Sequence, residues 1–106
     1  MMNLEKIPAH MRSGVELYVY NGIPPGSFLT AVLENKLVEA FMHADEINRA
    51  AMFAWADFMY NEMPAGSWRS AERVAAWCEA RRASPIDREP ARHGFTRYER
   101  QTYEER

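Results

Sequence analysis

Asn21-Gly-Ile-Pro-Pro-Gly-Ser-Phe-Leu29 ends one helix and begins another. Asn21 and Gly22 tolerate the left-handed backbone that terminates a helix, and Gly does so without a Cβ clash. Pro24 and Pro25 cannot continue a helix and hold the chain extended. Gly26 or Ser27 can then cap a new helix that opens on Phe28 and Leu29. This punctuation turns a corner between helices. It is not a phosphate loop, because two prolines between Gly22 and Gly26 remove backbone donors that a phosphate cradle requires.

Outward from the corner, helical spacing continues. Pro8 suits the first turn of a helix over about 8–21, with Met11, Val15, Tyr18 and Val19 as its buried stripe. A short helix over 28–34 would bury Phe28, Leu29, Val32 and Leu33. Asn35 can cap a third over 36–44, whose apolar face is Leu37, Val38, Ala40 and Phe41. Asp45 can cap the longest, about 46–63, stopped by Pro64 and Gly66. That helix carries Ile47, Ala51, Ala54, Trp55 and Phe58 on one side and Met52, Ala56, Met59 and Met63 on the next. So wide an apolar arc marks a central helix. Ser67 or Ser70 starts a last helix to about 82, packing Val74, Trp77 and Cys78.

The expected fold is all-α: a compact bundle of about five short helices over residues 1–82, followed by a polar C-terminal tail over 83–106. At 106 residues the chain is one domain. Its 47% apolar and 26% charged residues are ordinary for a globular protein. The tail holds five Arg, five Asp or Glu, and no Leu, Val, Met or Trp. Thr96-Arg-Tyr-Glu99 has the form of a capping box, so 97–105 reads as a final helix. A helix that short is ordered only when docked on the body or on a partner.

Charge and composition narrow the function. Thirteen Lys and Arg against fifteen Asp and Glu give a formal charge of −2, which argues against a dedicated nucleic-acid binder. Cys78 stands alone, so no intramolecular disulfide is expected and a reducing compartment fits. The first eight residues lack the apolar run of a signal peptide, and no stretch is long enough to span a bilayer. A cytoplasmic protein is expected.

Reactive constellations are not evident. His10, His43 and His93 are far apart, and His43-Ala-Asp45 supplies too few ligands for a metal site. Cys78 sits on an apolar face beside Trp77 with no base nominated to activate it. Asp57 lies between Phe53 and Tyr60 at helical spacing, but it shares the polar strip of Glu46, Arg49 and Asn61. Neither an enzyme nor a cofactor is expected.

Protein binding remains. Tyr20, Phe53 and Tyr60 fall outside the periodic core, as does Trp68, and aromatic and Arg side chains are the usual anchors of interfaces. With Asp57 between two of them, and Arg97 and Tyr98 in the tail, they are the candidate partner-binding residues. A homodimer would use the same surfaces. Arg97, Tyr98 and their neighbours could alternatively grip nucleic acid, although the tail's charges balance.

Ile7-Pro-Ala-His-Met11, the Asn21–Asn35 run, Ala44-Asp45 with Asn48, Tyr60-Asn-Glu-Met-Pro64 and Trp77 together resemble a family of small phage and prophage accessory proteins. The likeness covers roughly residues 4–80, and Pro-Pro-Gly-Ser-Phe-Leu is its most specific part. The pattern has Gly where this chain has Arg69 and ends soon after Trp77, so the stretch from Ala83 departs from it. The resemblance implies phage origin and no defined catalytic residues. By class analogy, it implies a protein that binds a host protein or complex, as anti-CRISPR-type inhibitors do. The alternative expectation is a small phage regulator contacting nucleic acid through its tail.

Overall fold

The structure, a computed structural model, describes residues 2–86, and these fold into an all-helical bundle. Two single-turn 3-10 segments, Leu4–Lys6 and Ala9–Met11, lead into α1 (Arg12–Asn21). Then come α2 (Ser27–Leu33), α3 (Leu37–His43), α4 (Glu46–Ala50), α5 (Met52–Glu62) and α6 (Ala71–Ala83).

Asn21-Gly22 ends α1 as its residue types require. Gly22 takes φ +70°, and its N–H bonds the Tyr18 carbonyl at 3.0 Å while Ile23 N–H reaches Leu17 O at 3.2 Å. The next two carbonyls are met from outside the helix. Trp77 Nε1 of α6 donates to Val19 O at 3.1 Å, and Ile86 N–H donates to Tyr20 O at 2.8 Å. The end of α1 is thus sealed by α6 and the residues after it, satisfying carbonyls a helix terminus otherwise leaves open. Contact is close: a Cβ at Gly22 would lie 2.4 Å from Cys78 O and 2.9 Å from Arg82 N. Only glycine fits this seam.

Gly26 is the extended residue before α2, and Thr30 N–H bonds its carbonyl at 3.0 Å. Asn35, expected as a side-chain cap, instead adopts φ +64°, a left-handed turn residue, and Lys36 N–H closes back on Ala31 O at 2.9 Å. That tight corner folds α3 onto α2. The consequence corrects the expected apolar face: α3 buries Ala40 alone, while Leu37, Val38 and Phe41 are exposed. Two turns of helix pressed against one neighbour can cover only one side.

The expected 46–63 helix is interrupted at Ala51, whose ψ of 16° departs from helical geometry. Asp45 caps α4 as expected, accepting Asn48 N–H at 2.7 Å. Asn48 is buried, and its Oδ1 accepts Trp55 Nε1 at 3.1 Å across the break. The bond satisfies a buried indole N–H and links the two helices on either side of the break. Trp55 meets Phe28 and Phe58 edge-on, with ring centroids 5.5 and 6.2 Å away, and these rings centre the core with Val15, Tyr18 and Leu33. Ile47, which periodicity places in that core, is exposed, and α4 instead buries Asn48.

Ser70 caps α6, with Arg73 N–H on its Oγ at 3.2 Å, whereas Ser67 is buried in the preceding loop. There the Tyr18 hydroxyl donates to Ser67 O and Ser67 Oγ to Pro64 O at 2.7 Å. Desolvation first, then nearby Cys78 and Glu34, push the Tyr18 pKa upward, so the phenol stays a neutral donor. Packing continues past the composition change at residue 83: Ile86 is buried against the end of α1. Arg97, Tyr98 and the 97–105 helix lie outside the described residues.

Gly22→Ala should lower stability by about 2–4 kcal/mol, combining a left-handed backbone with steric overlap on α6. Gly14→Ala, in the first turn of α1 with nothing within 4 Å of the added carbon, should raise it by about 0.5–1 kcal/mol. Urea unfolding of both variants checks the contrast.

Candidate functional site

With α6 sealing α1 and α3 folded onto α2, a groove of about 660 Å³ stays open between the α2–α3 corner and α5. Buried Trp55 and Met59, with Met52, form its floor; Leu37 and Phe41 of α3 face Phe53 and Tyr60 of α5; Trp68 also lines it. Phe53 and Tyr60 are seven apart, so one stripe of α5 carries both, with Ala56 and Asp57 between them. Phe53 is 86% exposed, Tyr60 75% and Leu37 66%. On the outer side of α3, Val38 and Met42 are 71% and 76% exposed, so the apolar surface continues around that helix. Such a set is the kind of patch that marks a contact site on a folded chain.

The charges around the groove are mostly spoken for. Asp57 pairs with Lys6 at 3.1 Å and accepts Asn61 Nδ2 at 2.7 Å; Lys6 also reaches Glu62 at 2.9 Å. Lys6 foremost, then Asn61, hold the Asp57 carboxyl below its ordinary range. That direction makes Asp57 a counter-ion tethering the N-terminal segment to α5, opposite to a carboxyl raised toward neutrality for proton transfer. Lys36 pairs with Glu34 at 3.0 Å.

Arg69 is different. It takes φ +109°, a region costing a side-chain-bearing residue on the order of 1–3 kcal/mol, while its N–H donates to Leu33 O at 2.7 Å. Its guanidinium lies 4.6 Å from the centroid of the Trp68 ring. No carboxylate among the described residues pairs with it.

Of the residues read from the sequence as partner-binding, the structure brings Phe53, Asp57 and Tyr60 together on the groove. Tyr20 is corrected: at 3% exposure it is core, and its carbonyl accepts the Ile86 N–H. Ile86, the lone large aliphatic after Arg82, is buried in the same core and is the one sequence signal that the body extends past residue 83. Helical spacing places Leu37 and Phe41 in the interior, but spacing alone cannot show that α3 packs chiefly on α2. Arg69 was legible only as a non-glycine residue in a Gly-Ser-Trp loop.

Elsewhere, His10 Nε2 lies 3.0 Å from Asp45 Oδ2, and the Asp45 carboxyl is lowered mainly by the Asn48 N–H and then by His10. Cys78 is buried, and desolvation raises its thiol pKa. Groups of three or more His, Cys, Asp or Glu that could hold a metal ion do not occur among the described residues. No helix among them is long and apolar enough to cross a membrane. Comparison with protein-family models, with curated proteins and with solved structures finds no match to the chain.

In wild-type protein the Asp57 carboxyl should titrate below 3.8, and in Lys6→Met it should rise toward that value. Because the folded value is depressed, the tether contributes above pH 3.8 and is lost as pH falls through the lower folded value. Carboxyl chemical shifts followed by NMR read this directly; a wild-type value above 3.8 would identify a desolvated acid instead.

Proposed function

We propose that the chain is a non-enzymatic, phage-encoded binding protein that seats an apolar element of a host bacterial protein in the α3–α5 groove. By occupying that surface it blocks the host protein or its complex, in the manner of an anti-CRISPR-type inhibitor inside the bacterial cytoplasm. The observation that carries this reading is the open groove, with an apolar floor and exposed Leu37, Phe53 and Tyr60 at its mouth. Large side chains left in water oppose solubility and gain nothing for the fold, so their use lies in a contact. Aromatic anchors at the centre of such a contact are the usual source of binding energy. Phage origin is supported by the residue pattern alone, and inhibition by class analogy.

Nucleic-acid contact through Arg97 and Tyr98 is the lesser reading. Residues 83–106 carry as many acidic as basic side chains, and the whole chain is at −2, so the electrostatic term that drives such binding is weak.

The test is affinity capture from bacterial lysate with immobilised full chain, its Phe53→Asp and Leu37→Asp variants, and Arg73→Ala as an exposed control on α6. Both groove variants should unfold within about 0.5 kcal/mol of wild type. They should bind at least about 30-fold more weakly, as expected for losing an anchor worth 2 kcal/mol or more. Wild type and Arg73→Ala should retain the same host protein. Capture unaffected by Phe53→Asp and Leu37→Asp would overturn the reading.

A further inference from the structure

We propose that Arg69 sets the specificity of the groove by pairing with a carboxylate on the flank of an amphipathic partner helix seated there. The inference rests on the groove reading above and names the chemistry of its occupant. The groove is walled by side chains at helical spacing on α3 and α5, the arrangement into which an apolar helix face lays its anchors at i, i+3 or i+4, and i+7.

Three observations single out Arg69. Its backbone is pinned at φ +109° by the bond from its N–H to Leu33 O, a conformation glycine would adopt without strain. The fold therefore needs the backbone at this position but not the side chain. Second, the guanidinium lies over Trp68, 4.6 Å from the ring centroid, and Trp68 lines the groove. Arg69 is exposed, and a guanidinium held over an aromatic face can still offer its N–H edges to a carboxylate in bidentate fashion. Third, the neighbouring charges are committed internally, Lys36 to Glu34 and Asp57 to Lys6. Arg69 is not itself a lining residue, but it is held over one, Trp68, and no carboxylate among the described residues pairs with it. Charge complementarity therefore favours an acidic flank over a basic one.

The probe is a displayed library of helical peptides with a fixed apolar face and randomised flanking positions, selected against the full chain. Wild type should enrich Asp or Glu over Lys or Arg at one flank position by at least tenfold. Arg69→Gly, which should melt at a higher temperature than wild type, should keep the apolar preference and lose the acidic one; Arg69→Lys should retain part of it. Apolar binders with no acidic preference would overturn the role of Arg69 and leave the groove reading intact. No enrichment on wild type, or enrichment unchanged by Phe53→Asp, would defeat both. Enriched peptides that copy α3 of this chain would replace the host helix by a second copy and overturn the proposed occupant.

Discussion

The seam at Gly22, where the end of α1 meets the backbone of α6 too closely for any Cβ, is the constraint on which the arrangement depends. It commits α6 and the residues up to Ile86 to one side of the bundle, where they close the Val19 and Tyr20 carbonyls. An α-helix of thirteen residues spent there is not available to cover α3. The left-handed turn at Asn35 completes the outcome by folding α3 back on α2. The groove is what remains between these two commitments.

A bundle of this size could have buried Leu37, Val38, Phe41 and Met42 by lengthening a connection or a helix. Burying a large apolar side chain is worth about 1.5–3 kcal/mol, so leaving several open forgoes stability the fold could have had. The strained Arg69 forgoes more. Sites that bind are where such departures from local optimum collect, because consistency elsewhere holds the scaffold while the surface is shaped for a second molecule. Here the scaffold is held by Trp55, hydrogen-bonded to Asn48 and wedged between Phe28 and Phe58. The same ring lies beneath the groove, so core and site share one side chain.

How far this was legible in the sequence follows from which residues act locally. Asn21-Gly22, Asp45 and Ser70 exert their effects within one turn of helix, and helix ends were readable from them. Phe53, Asp57 and Tyr60 were readable as one stripe because spacing along a single helix fixes their common side. Tyr20 and Leu37 show where such reading stops. Their spacing is equally helical, but Tyr20 is 3% and Leu37 66% exposed, and which of them is covered is a tertiary fact. The break at Ala51 has no local signal either, since an alanine pair gives no reason to stop, and the Asn48–Trp55 bond that spans it is a contact the spacing does not reveal. Phage ancestry and a host target rest on resemblance and analogy, and packing does not bear on them.

Hydroxyl-radical footprinting of the free, monomeric full chain tests the openness of the groove most directly. Met42, Phe53 and Tyr60 should be oxidised at rates close to those of the unfolded chain, with Tyr18, Phe58 and Met59 strongly protected. Protection of Phe53 and Tyr60 to the level of Phe58 in the monomer would mean that the chain covers this face itself, and the account of it as a docking surface would be wrong.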